Sequence, residues 1–255
     1  MDLALHTHAL RREFGTFVAV DGIDLVVPRG SLYGFVGRNG AGTSTTIKCL
    51  TGLLAPTSGS MSLLGLDPLK DPVAVKRQVG VVPEDLALFE QLTAAETLAF
   101  VGQVHGLAAA TIKERSAELL ALMDLESAAG QMVADYSHGM RKKTSLAAAL
   151  IPAPKLLFLD EPFEGVDAVA SRQIKDLLLE YVRRGGTVFL TSHILEVVER
   201  LCDQIGVIHE GRLVAQGSAD ALRSAFDGGE TLEAMFLRLV LAPEVTSAHL
   251  DWLKG

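Results

Sequence analysis

The chain has 255 residues, a length that allows one large α/β domain or one domain with a sub-domain. Apolar residues make up 49% of the chain and aromatic residues only 5%, so a large aliphatic core is expected. The formal net charge of −8 argues against broad nucleic-acid binding, which requires a basic surface.

The first predicted elements are short strands separated by turns. Strand-forming segments cover Ala4–Leu10 and Ala19–Val27, and Pro28-Arg29-Gly30 is a strong turn signal before the apolar run Leu32–Val36. A helical segment, Thr45–Leu54, comes shortly after that run. A buried strand, a glycine-rich loop and a helix in succession are typical of a phosphate-binding site.

The loop itself has the sequence G-x-x-x-x-G-T-S, where the phosphate-binding motif is G-x-x-x-x-G-K-[ST], so Thr43 replaces the lysine. We expect its backbone N–H groups and the helix N-terminus to bind a nucleoside triphosphate, and Ser44 to ligate Mg²⁺. A glycine-rich turn that binds nothing is the alternative. The expected nucleotide-contacting residues are Gly37, Arg38, Asn39, Gly40, Ala41, Gly42, Thr43, Ser44 and Thr45.

A helical region follows, from about residue 86 to residue 150. It is rich in Ala, Leu, Glu and Lys with helical periodicity, and Thr93 and Glu96 form a capping box that opens one helix. Pro152 and Pro154 mark its end.

Two carboxylates end the next apolar strand, Leu156–Leu159. Asp160 is placed to hold Mg²⁺, directly or through a water molecule, beside the phosphate loop. Glu161 suits a general base, or a water-positioning group, for attack on the γ-phosphate. An ordinary acidic strand end is the alternative interpretation.

The last predicted strands are Thr187–Leu190 and Gln204–His209, and Glu210-Gly211 predicts a hairpin turn after the second. The tail is predicted to be helical from about Ser218 to near Pro243. We therefore expect an α/β fold with a mainly parallel sheet and a smaller antiparallel layer near the N-terminus.

The segment Tyr136-Ser137-His138-Gly139-Met140 points to a known family. It resembles the signature motif, in its YSxGM form, of the ATP-binding cassette of ABC transporters. His138 stands in place of the first glycine, and we assign it no catalytic role. The likeness extends from about Leu3 to about Val240 and is to bacterial subunits with a single cassette. It implies a P-loop NTPase core with an inserted helical sub-domain at about 86–150.

Residues 1–240 would then form the nucleotide-binding domain, and residues 241–255 a C-terminal tail. The segment Thr231–Leu239 resembles the C-terminal helix of members that are paired with export-type permeases.

The resemblance also implies a composite site between two subunits. In the family, the signature of one subunit covers the γ-phosphate bound by the loop of its partner, which implies donors at Ser137 and Gly139. A simple helix N-cap is the alternative for Ser137. Asp167, in Gly165-Val166-Asp167, matches the D-loop, which faces the subunit interface.

Three further residues match positions with known roles in the family. Phe14 matches the aromatic that stacks on adenine, although a core aromatic is the alternative. Glu84 stands where many members carry the Q-loop glutamine, which links the metal site to the membrane partner, and Glu can still bind the water of Mg²⁺. His193 matches the switch histidine, which contacts the γ-phosphate and helps to align water, although a structural histidine is the alternative.

The function implied by the resemblance is that of a transport ATPase subunit with ATP and Mg²⁺ as cofactors. Two such subunits, identical or different, would close around two ATP molecules and drive a separate membrane permease, with export as the expected direction. A permease helix would dock between the helical sub-domain and the Glu84 loop. With no apolar stretch of transmembrane length and no secretion signal at residues 1–8, a cytoplasmic protein on the inner face of the membrane is expected.

Two other functions stay open. The chain could be a regulator that senses ATP without hydrolysing it, as the loss of the lysine suggests. It could also be a soluble member of the family that acts on ribosomes or DNA, although such members usually have two cassettes, and the acidic charge disfavours nucleic-acid partners.

Replacement of the loop lysine by Thr43 predicts an impaired site. A charge-assisted hydrogen bond contributes roughly 1.5–3 kcal/mol, so its loss predicts ATP binding weakened by about ten- to hundredfold. Hydrolysis should suffer more, because charge shifts in the transition state. Three explanations stay open: an engineered change, a degenerate site beside a competent partner, or compensation by Lys48 or Arg38, which ranks last.

Overall fold

Strands and helices alternate along most of the chain. The computed structural model describes residues 2–225, residue 234 and residues 236–238. Its strands are β1 (Leu3–Phe14), β2 (Phe17–Ile23), β3 (Val26–Pro28), β4 (Leu32–Val36), β5 (Ser58–Leu63), β6 (Val79–Val82), β7 (Leu156–Leu159), β8 (Thr187–Ser192), β9 (Gln204–His209) and β10 (Arg212–Ser218). Its α-helices are α1 (Thr43–Leu50), α2 (Pro72–Lys76), α3 (Ala94–Val104), α4 (Ala109–Leu122), α5 (His138–Leu150), α6 (Ala168–Arg183), α7 (Leu195–Leu201) and α8 (Ala219–Ala225).

A six-stranded sheet in the order β10-β9-β4-β8-β7-β6 forms the centre of the fold. All its pairs are parallel except β9–β10, as the sequence predicts. Every residue of β4, β7 and β8 is buried, because helices cover one face of the sheet and other elements cover the opposite face. The carboxyl ends of these three strands meet at one edge, since Val36 pairs with Ser192 and Leu159 with Leu190.

A smaller antiparallel sheet near the N-terminus is also confirmed, with β1 paired to β2, β3 and β5. The predicted strand bounds are wrong in two respects: β1 continues to Phe14, and the predicted second strand is divided into β2 and β3. Thr7 explains the division. Its hydroxyl donates to the Ile23 carbonyl and accepts from the Leu25 N–H, both at 2.8 Å, and so replaces ladder hydrogen bonds there.

The predicted turns and caps have mixed outcomes. Helix α1 ends at Leu50 rather than Leu54, because Gly52 has a φ of 71° that ends the helix. The capping box is confirmed, since Thr93 N–H donates to Glu96 Oε2 at 2.8 Å and Glu96 N–H to Thr93 Oγ1 at 3.1 Å. The Glu210-Gly211 hairpin is confirmed as well, with φ values of 47° and 77°.

Helices α3, α4 and α5 occupy the interval between β6 and β7, together with the 3₁₀ helices Glu126–Ala128 and Val133–Asp135. Helix α8 begins next to Ser218, where the helical tail is expected. The predicted helix at Thr231–Leu239 lies outside the described residues except for positions 234 and 236–238, and the predicted tail at 241–255 lies wholly outside them.

The two sheets are joined by side chains on β2 and β10. Asp21 on β2 forms ion pairs with Arg11 and with Arg212, the latter at 2.7 Å. Gln216 accepts from the Val26 N–H at 2.9 Å and from the Tyr33 hydroxyl at 2.8 Å. None of the helices in the described part of the chain combines the length and the apolar character that crossing a bilayer requires.

Candidate nucleotide-binding site

The loop between β4 and α1 has a shape that only glycine permits at key positions. A Cβ atom at Gly42 would lie 2.3 Å from the Ala19 carbonyl oxygen, and Gly42 has a φ of 106°. A Cβ atom at Gly37 would lie 2.7 Å from the Ile208 side chain. Gly40 has a φ of 84° and open space where its side chain would be. The loop is thus packed from behind and open in front, as a phosphate cradle requires.

Two backbone hydrogen bonds fix the loop against its neighbours. The Gly211 N–H donates to the Ala41 carbonyl at 2.9 Å, and the Asp21 N–H donates to the Gly211 carbonyl at 2.8 Å. The loop is therefore attached to the β9–β10 turn and, through that turn, to β2. Within the loop, Arg38 and Asn39 are exposed, and Thr43, Ser44 and Thr45 are half-buried in the first turn of α1.

Thr43 is the first residue of α1, so it lies at the positive end of the helix dipole. The two candidate replacement cations lie elsewhere. Lys48 is exposed in the last turn of α1, about 7.5 Å along the helix axis from Thr43. Arg38 is exposed within the loop itself. Lys48 is thus at the wrong end of the helix to replace the missing lysine.

Asp160 and Ser44 lie together although 116 residues separate them in the sequence. The Ser44 hydroxyl donates to Asp160 Oδ1 at 3.3 Å, and Asp160 is only 4% exposed. Thr191, at the end of β8, donates to the same carboxylate oxygen at 2.6 Å. A hydroxyl and a carboxylate beside a phosphate cradle are oxygen donors of the kind that Mg²⁺ binds, so these residues fit that ion.

Glu161 and His193 form a second contact at the same edge. His193 Nδ1 lies 3.0 Å from Glu161 Oε2, and the Glu161 N–H donates to Thr191 Oγ1 at 3.0 Å. Burial raises the pKa of the Glu161 carboxyl, while the hydrogen bond and charge of His193 oppose that rise. A partly buried carboxylate with a raised pKa is suited to accepting a proton.

The sequence does not predict the part played by Thr191. Its hydroxyl accepts from the main chain of Glu161 and donates to the side chain of Asp160, so it holds both carboxylate residues. The only signal available is its place in Thr191-Ser192-His193, at the end of the strand beside β7.

Glu84 follows β6, the strand beside β7, and so lies at the same edge of the sheet. Its side chain is exposed. Within residues 2–225 no hydrogen bond or ion pair joins it to Asp160 or Ser44. The structure therefore places Glu84 near the other carboxylates without bringing it into contact with them.

Phe14 lies at the end of β1, opposite Phe17, and is 46% exposed, so it is not a core aromatic. The Arg12 guanidinium carbon lies 4.5 Å from the centre of its ring. An exposed ring held by a cation–π contact offers a flat surface on which a base can stack.

Ser137, Gly139 and Asp167 form a separate group, which we call the signature face. Ser137 caps α5 by accepting from the Met140 N–H at 3.3 Å, and Asp167 caps α6 by accepting from the Ala170 N–H at 2.9 Å. A Cβ atom at Gly139 would lie 3.6 Å from Asp167 Oδ2, so the two helix starts are adjacent. Across residues 2–225, no hydrogen bond or ion pair connects this face to the loop at 37–45.

His138, between Ser137 and Gly139, packs against the turn before α6. A Cβ atom at Gly165 would lie 3.0 Å from the His138 ring, and Gly165 has a φ of 66°. The ring therefore fills space that another side chain at position 165 would need.

Comparison with known proteins settles which family has this arrangement. The family model described as ABC transporter matches residues 20–164, which is more than half of the chain. The chain belongs to the family of ABC transporter ATP-binding subunits. Members of this family bind ATP and are generally ATPases. The match confirms the family that the sequence predicts, and the observed sheets and helices confirm the fold class.

Individual relatives agree with this assignment. The daunorubicin/doxorubicin resistance ATP-binding protein DrrA of Streptomyces peucetius is 39% identical over 222 residues, which cover 87% of this chain and 67% of DrrA. The Nod factor export ATP-binding protein I of Cupriavidus metallidurans is 39% identical over 234 residues, or 91% of this chain and 77% of that protein. A solved ATP-binding subunit of an ABC transporter superposes with a TM-score of 0.87 at 32% identity, covering 92% of this chain and 99% of that one.

Proposed function

We propose that this chain couples ATP binding and hydrolysis to export through a separate membrane permease, and that Thr43 weakens the hydrolysis. The observation that carries the proposal is the edge where Ser44 contacts Asp160 and Glu161 contacts His193, directly beside the glycine loop. The relatives named for drug resistance and for Nod factor export support the direction of transport.

The residues of this edge have distinct tasks in hydrolysis. Backbone N–H groups of the loop bind the phosphate oxygens, and Phe14 stacks on the adenine. Ser44 and Asp160 would hold Mg²⁺, with Glu84 near the ion's water, and the ion supplies positive charge to the phosphate oxygens. The Thr191 hydroxyl donates to Asp160 Oδ1 at 2.6 Å and so orients the carboxylate that would hold the ion.

Glu161 and His193 act on water and on the γ-phosphate. The Glu161 carboxylate accepts a proton from the attacking water, whose oxygen forms the new bond to phosphorus as the bond to ADP breaks. His193, whose Nδ1 lies 3.0 Å from Glu161 Oε2, is assigned to contact the γ-phosphate with its ring. The products are ADP and inorganic phosphate. The proton is held on the Glu161 carboxyl until the products leave, and then passes to solvent, which restores the carboxylate.

Thr43 explains why turnover should be low. Its side chain is short and uncharged, so the β- and γ-phosphates lack the ammonium that the motif normally supplies. The backbone cradle, Ser44 and Phe14 remain in place, which favours weakened binding over complete loss. Because that charge matters most in the transition state, turnover falls further than affinity.

A second subunit, identical or different, completes the site. The signature face is exposed at Ser137 and Asp167, and its helix N-termini attract phosphate oxygens. We assign this face to the triphosphate bound by the partner's loop, because among residues 2–225 its Ser137 and Asp167 side chains bond only to their own helix starts.

The permease docks in an apolar groove between the helical segment and the loop after β6. This groove has a volume of about 400 Å³ and exposes Phe89 at 56%, in edge contact with Phe100. An apolar helix fits such a surface, and docking there holds the chain at the inner, cytoplasmic face of the membrane. Residues lining the groove include Leu53, Val81, Leu86, Phe89, Val101 and Ala148.

The deciding experiment restores the lysine. We expect Thr43→Lys to raise kcat/KM for Mg-ATP at least about tenfold, measured by phosphate release from the purified chain with and without its permease. The double variant with Glu161→Gln should release almost no phosphate. If Thr43→Lys does not raise turnover, Thr43 is not the cause of impairment. If the parent binds no Mg-ATP at millimolar concentration with its partners present, the proposal fails.

Thr43 also favours a second candidate, a subunit that senses ATP without hydrolysing it. Such a chain would bind Mg-ATP and respond to it without releasing phosphate, alone or with any partner. A mixed dimer whose partner subunit carries both Thr43→Lys and Glu161→Gln separates the two functions. The partner's own site is then inactive, so any phosphate release comes from the Thr43 site, which an impaired ATPase should show and a sensor should not.

A further inference from the structure

Lys142 on α5 is buried, and its ammonium group bonds to the main chain of Glu161. The residue is only 2% exposed, and Nζ donates to the Glu161 carbonyl oxygen at 2.7 Å. A small cavity beside the side chain is lined by Val82, Leu159 and Pro162. Removing the ammonium group from water costs free energy, and a single main-chain hydrogen bond offsets only part of that cost. That cost indicates a role of this contact beyond stability.

Carboxylates surround this ammonium without pairing to it. Burial lowers the pKa of Lys142, while the charges of Glu164, Glu161, Asp160 and Glu84 act to raise it. In the part of the chain that the structure describes, none of these carboxylates forms an ion pair with Lys142. The short bond to the Glu161 carbonyl is thus the direct contact of the ammonium.

Glu161 adopts a main-chain conformation that needs support. Its φ of 48° lies in the left-handed region, which residues with a side chain rarely adopt. Its N–H donates to the Thr191 hydroxyl and its carbonyl accepts from Lys142, so both ends of the residue are fixed. The direction of the Cβ atom, and with it the reach of the carboxylate toward His193, follows from this conformation.

We propose that Lys142 is a positioning residue for ATP hydrolysis, which holds Glu161 in the left-handed conformation that directs its carboxylate to the attacking water. The inference rests on the proposed function, in which Glu161 is the general base. Lys142 is also about one and a half turns beyond the Ser137 cap on the same helix, so α5 connects the signature face to the base within one chain.

Lys143 provides the matched control. It is the next residue of α5, is 7% exposed, and bonds through Nζ to the Gln173 side chain at 3.3 Å rather than to Glu161. Removal of either ammonium changes the charge and packing of the same helix. Only removal of the first takes the shorter hydrogen bond, at 2.7 Å, from the Glu161 carbonyl, which keeps the Glu164 N–H at 3.3 Å.

The experiment compares Lys142→Met, Lys142→Arg and Lys143→Met, each in the parent and in the Thr43→Lys background. Single-turnover phosphate release and the Kd for a fluorescent Mg-ATP analogue are measured on the full chain. We expect Lys142→Met to slow release at least about tenfold with Kd unchanged within about twofold. Lys142→Arg should recover much of the rate, and Lys143→Met should stay within about twofold of its background.

Amide hydrogen exchange gives a readout that does not depend on turnover. Lys142→Met should speed exchange at residues 160–165, and Lys143→Met should not. Equal behaviour of the two methionine variants in rate and exchange would overturn the proposal, as would a parallel loss of affinity in Lys142→Met. If neither background releases phosphate, the proposed hydrolysis has failed, and the exchange comparison alone decides whether Lys142 holds Glu161.

Discussion

The edge beside the glycine loop and the signature face differ in where their polar groups find partners. At the edge, Ser44, Asp160, Glu161 and His193 contact one another or Thr191, so these contacts all form within one chain. On the signature face, the Ser137 and Asp167 side chains bond only to the first turns of their own helices, within the described residues.

This difference separates two kinds of functional residue. The edge is assembled by parallel strands whose ends are fixed by the sheet, so its geometry exists before any partner arrives. The signature face consists of two adjacent helix N-termini, and it contributes to function only when a partner subunit binds. Changes at the edge should therefore alter phosphate binding or chemistry at the chain's own loop. Changes at the signature face should alter turnover only in the assembled pair, apart from the stability lost with a helix cap.

The largest effect is expected from Glu161→Gln at the edge. Loss of the base should slow phosphate release at least about 10²-fold in the Thr43→Lys background, with Mg-ATP affinity kept. Glu164→Gln, an exposed carboxylate three residues away, is the control and should leave the rate within about twofold. Equal rates for the two variants would show that the edge does not contain the base.

Gly42→Ala tests whether the loop must keep its shape. The added Cβ would meet the Ala19 carbonyl oxygen at 2.3 Å in a left-handed conformation, so we expect a loss of about 2–4 kcal/mol in unfolding free energy and at least tenfold in Mg-ATP affinity. Gly52 has a φ of 71° but open space where a Cβ atom would lie. Gly52→Ala should therefore lower the unfolding free energy by about 1 kcal/mol and leave the affinity for Mg-ATP unchanged. Urea denaturation and nucleotide titration measure both.

At the signature face, Ser137→Asp separates capping from partner contact. Aspartate caps helices as well as serine does, so the free energy of unfolding should change by less than about 0.5 kcal/mol, whereas Ser137→Ala should lose about 1 kcal/mol. The new carboxylate would repel a partner's γ-phosphate, so turnover of the assembled pair should fall about tenfold. If Ser137→Asp leaves both turnover and stability unchanged, Ser137 acts only as a helix cap.

The smallest effect is expected from Asp203→Asn, on the unfolding free energy. Asp203 lies at the edge of the central sheet opposite the glycine loop. Asp203 Oδ1 accepts from the Leu32 N–H at 3.0 Å, and burial raises the pKa of its carboxyl above the ordinary value of 3.8. An acid whose folded-state pKa is raised stabilises the fold fully below its unfolded pKa and loses that contribution as pH rises through the folded pKa.

Asparagine at position 203 keeps the oxygen acceptor and carries no charge. Its unfolding free energy should therefore equal or exceed that of the parent by up to about 1 kcal/mol at pH 7, with the excess vanishing as the pH falls toward 4. Mg-ATP affinity should be unchanged throughout. An unfolding free energy of Asp203→Asn below that of the parent at pH 7 would contradict this prediction.

Sequence patterns predict four strands of the central sheet, β4, β7, β8 and β9, because these strands are short and apolar and most of their residues are buried. They predict β4, β7 and β9 to the residue, and they place the carboxylates of Asp160 and Glu161 at a strand end. They fail for β1 and for the division between β2 and β3, because the Thr7 hydroxyl breaks the ladder through a contact with a distant segment.

For the site, the family, the glycine loop, the missing lysine and the acidic strand end can be predicted from the residues, because each is a local pattern of residue types. Three contacts could not be predicted in this way: Ser44 meets Asp160, Thr191 holds both carboxylate residues, and Lys142 binds the Glu161 main chain. Those contacts join residues 19 to 116 positions apart, and only the order of strands in the sheet and the packing of α5 against it bring them within reach.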